Sequence, residues 1–176
     1  MKPSNYWIKK KCQHCQRIKI NIMDLRKDFF DILLEMAKKD KDIILLIGDL
    51  GYSFYERFQK ELPDQFINAG CAEQNMIGVA AGLALGGKKP FVYSGSIFLA
   101  SRGHEFIRDD VAYNNLNVKL IATGASGFLG WSHNWQNGEN EFDLLKNLPN
   151  LYLYFPESKE ELSRVLKNDG ASFIRL

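Results

Sequence analysis

At 176 residues the chain suits one domain with a substantial core, and 45% hydrophobic with 25% charged residues is the make-up of an ordinary globular protein. A formal net charge of +2 argues against a nucleic-acid or membrane surface, and no apolar run approaches the ~20 residues of a membrane helix. Cys12, Cys15 and Cys71 are few and odd in number, which argues against a disulfide framework; with no apolar signal core ahead of them, a cytoplasmic location is expected.

Residues 1–22 are locally basic and lack helix or strand periodicity, so a solvated N-terminal extension is expected there. Cys12-Gln13-His14-Cys15 within it has the spacing of half a zinc site, but no second pair of ligands completes it. From Asp24 onward, Leu25, Phe29, Ile32, Leu33 and Met36 lay one apolar stripe along a helix. Ile43 to Ile47 is a continuous apolar run closed by Gly48, the pattern of a strand buried on both faces. The alternation then repeats. Strands are expected at 65–68, 91–93, 118–123, 151–154 and 172–176. Helices are expected at 72–85 and 98–113, near 141–147, and from Ser158, where Glu161 completes a capping box. The fold class that follows is α/β: a doubly wound, mostly parallel six-stranded sheet with helices on both faces. Ligands of such sheets bind beyond the carboxyl ends of the strands, which points to the residues after Ile47, Asn68, Tyr93 and Thr123.

The most informative stretch begins at Gly70-Cys71-Ala72-Glu73. A strand ends, Gly70 permits a turn, and a carboxylate falls in the first turn of a helix that carries no other charge up to Leu85. Taken alone, Glu73 could simply stabilise the helix start. Gly78 and Gly82, with Ala81 beside them, would let another helix approach closely, so this helix is expected to be buried against another subunit.

These residues carry a resemblance. Gly70-x-x-Glu73 with its small-residue helix, then residues 96–108, then Asn117-Val118-Lys119 and Leu148-Pro149-Asn150-Leu151, resemble in order the transketolase family and its relatives, including deoxyxylulose-phosphate synthase. The likeness runs over roughly residues 24–176, nearly the whole chain. It implies a thiamine-diphosphate-binding fold of the pyrimidine-domain type, with residues 23–176 as the domain. It implies that Glu73 is the carboxyl that hydrogen-bonds a pyrimidine ring nitrogen and so activates the cofactor, and that Phe98 stacks on the aminopyrimidine. Gly70, Arg102 and Asp49 are its further candidate cofactor contacts. Where relatives carry a second aromatic three positions before Phe98, this chain has Gly95, so an aromatic wall that is thinner or completed from elsewhere is expected. The loop Gly130 to Gln136 lacks the acidic stretch of relatives; Ser132 and His133 in it are the candidate substrate contacts, although the segment length matches relatives better with Gln136 in the histidine's place. Gly48-Asp49-Leu50-Gly51 is not an intact Gly-Asp-Gly diphosphate signature. Magnesium and the diphosphate site are therefore expected on a partner chain, with no metal held here.

The function implied is that of the pyrimidine-domain subunit of a split transketolase-like enzyme. It would move a two-carbon ketol unit between sugar phosphates, as a homodimer core flanked by the diphosphate-binding chain. A component of a deoxyxylulose-phosphate synthase or 2-oxoacid enzyme, and a noncatalytic assembly subunit with the same fold, are the alternatives.

Overall fold

A computed structural model describes residues 24–124 and 141–176. The N-terminal residues 1–22 with Cys12 and Cys15, and the loop with Ser132 and His133, lie outside the described residues.

In chain order the elements are α1 (Arg26–Ala37), β1 (Ile43–Ile47), α2 (Glu56–Glu61), β2 (Phe66–Asn68), α3 (Glu73–Leu85) and β3 (Lys89–Gly95). A helical stretch of three short turns follows: π-helical at Phe98–Arg102, α-helical at His104–Phe106 (α4), and π-helical again at Ile107–Ala112. Then come β4 (Lys119–Thr123), α5 (Glu141–Leu145), β5 (Leu151–Tyr154), α6 (Lys159–Val165) and β6 (Ala171–Arg175). The six strands form one sheet in the order β2-β1-β3-β4-β6-β5, and every described pairing is parallel.

The period of two along a strand decides which layer each residue joins. In β1, Ile43, Leu45 and Ile47 enter one core with Phe29, Phe30, Leu33 and Leu34 of α1, Phe58 of α2 and Leu162 of α6. Ile44 and Leu46 enter the other, with Met76, Ile77 and Ala80 of α3, Leu99, Ile107 and Val111. All five β1 side chains are buried. Each buried Leu or Ile side chain contributes roughly 1.5–3 kcal/mol, so this strand ties the two cores together as well as pairing the sheet.

Four details depart from the expectations. Helix α2 was not expected; six residues centred on one buried Phe58 are too short for a visible stripe. Gln65 is not in β2 but in a 3-10 turn, where its buried side-chain amide donates to the carbonyls of Ala37, Asp40 and Ile43. The single helix expected over 98–113 is broken into wide turns at Gly103. A Cβ there would collide with Ile77 Cδ1 and approach the Leu99 carbonyl, so α3 and this stretch cross where only glycine fits. Finally, the small-residue face of α3 is divided. Gly78 faces Phe106 and Asp110 of the same chain, while Gly82 faces open space beside the exposed side chains of Val79 and Leu85.

Candidate active site

From β1 the chain crosses to β2 on one side and then passes back to β3 on the other, so the topological switch lies between β1 and β3. Gly48 ends β1 there, and a Cβ on it would stand 3.0 Å from Ser94 Oγ and 3.4 Å from Met76 Cε. Without that carbon, the fully buried Ser94 hydroxyl fits between the strand ends and reaches α3. It donates to Glu73 Oε1 at 2.9 Å. Glu73 is the first residue of α3, only 3% exposed, and the unpaired N–H groups of that helix end favour a negative charge. Its second oxygen, Oε2, accepts from Arg102 Nη1 at 3.0 Å.

Phe98 and Arg102 occupy the same π-helical turn, a local widening that recurs at functional sites. The Phe98 ring packs on Gly95, where an added Cβ would come within 2.8 Å of ring atom Cδ2. The space that a side chain at 95 would fill is taken by the Phe98 ring itself. The Arg102 guanidinium lies over that ring, 4.0 Å from its centroid. Glu73, Phe98 and Arg102 thus meet in one cluster.

Asp49 and Gly70 sit at the same end of the sheet in a second cluster. Asp49 Oδ1 accepts from Asn68 Nδ2 at 3.1 Å and from the Tyr52 hydroxyl at 2.9 Å. These two donors hold its carboxyl below the ordinary aspartate range. Asn68 Oδ1 in turn accepts the Gly70 N–H at 3.0 Å, so one amide ties the exit of β1 to the exit of β2. Asp49 and Ser53 both have positive φ, 54° and 74°, a conformation that costs a non-glycine residue ~1–3 kcal/mol. Between them Gly51 has φ 98°, and a Cβ on it would press into the Tyr93 ring. The chain maintains a strained loop beside the carboxyl ends of β1 and β3.

Ser94 and Asn68 escaped the sequence reading. Each left a faint signal: a small hydroxyl residue at the end of an apolar strand, and an amide two residues before the turn glycine. Among the described residues, no group of three His, Cys, Asp or Glu side chains is placed to hold a metal ion.

The comparisons with known proteins bear directly on this arrangement. Residues 22–172 match the family described as transketolase, pyrimidine binding domain. The chain belongs to the transketolase pyrimidine-binding-domain family. It is 36% identical over 157 residues to a putative transketolase C-terminal section of Methanocaldococcus jannaschii, covering 86% of this chain and 50% of that protein. It is 36% identical over 151 residues to an apulose-4-phosphate transketolase subunit of Phocaeicola vulgatus, covering 84% and 47%. A solved structure described as a split gene transketolase, inactive beta4 tetramer, superposes with a TM-score of 0.75 at 35% identity, covering 86% of this chain and 50% of that one. The chain spans about half the length of these relatives.

Membership of the transketolase family implies thiamine diphosphate as cofactor. The residues present fit its pyrimidine end: a buried carboxyl with one oxygen anchored by Ser94, and an aromatic ring joined to its other oxygen through the Arg102 guanidinium.

Proposed function

We propose that this chain is the pyrimidine-binding component of a thiamine-diphosphate-dependent, transketolase-like transferase, active only together with a chain that binds the diphosphate. The observation that carries the reading is the placement of Glu73: buried at the switch point, one oxygen held by Ser94 and the other paired with Arg102, whose guanidinium lies over the Phe98 ring. Thiamine diphosphate, when bound, supplies a nucleophilic carbon able to take up a two-carbon ketol unit from one sugar phosphate and deliver it to another. The protein's part is to orient and to move a proton. Glu73 Oε2 holds a proton at the pyrimidine ring nitrogen, and the Ser94 hydroxyl keeps Oε1 from turning away. Phe98 offers its face to the flat ring, and the burial of Glu73 keeps bulk water from its carboxyl.

The diphosphate and its magnesium fall to the partner. Gly48-Asp49-Leu50-Gly51 lacks one glycine of the signature, and Asp49 is already engaged by Asn68 and Tyr52. Relatives named as a section or a subunit support a divided enzyme. The exposed Val79, Gly82 and Leu85 strip of α3 supports a homodimer core. Ser132 and His133 remain the proposed sugar-phosphate contacts. No helix among the described residues is long and apolar enough to cross a membrane, and a cytoplasmic setting is part of the proposal. Calorimetry of thiamine diphosphate with magnesium tests the division. Tight binding is expected only after the diphosphate-binding chain is added; tight binding to this chain alone would contradict it.

A further inference from the structure

The guanidinium of Arg102 does two things at once: it donates to Glu73 Oε2 at 3.0 Å and lies 4.0 Å over the Phe98 ring. Those are the two groups that the proposed reading assigns to an aminopyrimidine, one for its ring nitrogen and one for its face. A guanidinium is flat, carries donors in its plane and stacks on aromatic rings, so it satisfies the pocket as a small amino-heterocycle would. We infer that Arg102 is the resident occupant of the pyrimidine pocket in the free chain, and that the cofactor enters by exchanging with it.

The surroundings allow that exchange and confine it to one side chain. The Glu73 side chain is 3% exposed and held by Ser94 from behind, so it stays in place. The Arg102 side chain is 49% exposed and can swing into solvent without opening the core. Its backbone cannot follow, because the next residue, Gly103, is pressed against Ile77 and the Leu99 carbonyl. The two carboxylate oxygens therefore have separate duties: Oε1 is the anchor and Oε2 is the exchangeable position. The arginine keeps the buried carboxylate paired until a ligand arrives, and its competition lowers the apparent affinity by the fraction of time it occupies the pocket.

The inference rests on the pocket being an aminopyrimidine site, and one experiment separates the two. The full chain, isotope-labelled, is titrated with 4-amino-5-hydroxymethyl-2-methylpyrimidine and followed by NMR, as wild type and as Arg102→Ala; dispersed spectra report that the variant is folded. Three results are expected. Arg102→Ala binds the pyrimidine about fivefold or more tightly than wild type. Millimolar guanidinium ion displaces the pyrimidine from the variant. In wild type, the Arg102 Nε–H resonance, shifted by the Phe98 ring current, moves toward its free-arginine position as the pyrimidine saturates. Equal or weaker binding by Arg102→Ala, with Phe98 resonances still responding, would leave the pocket standing and overturn the exchange. No response of Phe98 or of residues around Glu73 in either protein would overturn the pocket assignment and the exchange with it.

Discussion

Ser94 and Glu73 are joined by a 2.9 Å hydrogen bond that runs from the penultimate residue of a central strand to the first residue of a helix. Both residues are buried, so the bond fixes where the carboxyl points. Removing the hydroxyl leaves Oε1 a buried acceptor without this donor, which costs ~1–3 kcal/mol. Ser94→Ala should therefore lower the stability of the folded chain by about that amount, read from urea unfolding. An unchanged midpoint would mean that the serine does not hold Glu73.

Gly95→Ala places a methyl carbon 2.8 Å from the Phe98 ring, closer than such contacts occur, so the ring must tilt away. A displaced ring loses its stacking geometry while the core on the other face of the sheet is untouched. An aromatic contact is worth ~0.5–1.5 kcal/mol beyond its buried area. The variant should weaken cofactor affinity in the reconstituted enzyme several-fold with only a small shift in melting temperature. A large loss of stability at unchanged affinity would show that Phe98 is a core residue.

Much of the sheet was legible in the sequence because its strands are buried on both faces, and a run such as Ile43 to Ile47 admits few other readings. Glu73 stood out in the sequence as the one carboxylate at the head of a helix without another charge, but by itself that pattern reads as a helix start, and only the family resemblance implied a role in the cofactor site. The links between elements were harder to foresee. The Ser94 to Glu73 bond spans 21 residues and Asn68 to Asp49 spans 19, and no local periodicity encodes either. The wide turns from Phe98 to Ala112 were hidden for a similar reason. They follow from the crossing with α3 at Gly103, a tertiary constraint on a stretch whose local pattern reads as an ordinary helix.

Lys119 gives a pH signature at the opposite end of the sheet. Its ammonium donates to Asn117 Oδ1 and the Gly170 carbonyl, yet burial pushes its pKa down to about 8 from 10.5. Below pH 8 the folded and unfolded chains both carry the proton, and the cost of burying the charge is fully present. Between about pH 8 and 10.5 the folded chain has released a proton that the unfolded chain keeps, so stability rises with pH. The rise attributable to this residue is at most about 3 kcal/mol, since the two acceptors favour the charged form. Relative to Lys119→Met, the wild-type unfolding free energy should climb between pH 8 and 10. A difference that stays flat across that range would show that the amine keeps an ordinary pKa in the fold.

The central claim is that the Glu73 carboxyl activates the cofactor, and its most direct test is hydrogen–deuterium exchange at the thiazolium carbon of thiamine diphosphate. The measurement uses the complex of this chain with its diphosphate-binding partner and magnesium, as wild type and as Glu73→Gln. The amide is nearly the same shape and can still meet Ser94, so folding and assembly should persist, but it has no acidic proton to share with the pyrimidine nitrogen. Exchange in the variant should fall by ~10²–10⁴, the range typical of a lost general acid–base contribution. Exchange as fast in Glu73→Gln as in wild type would contradict the account.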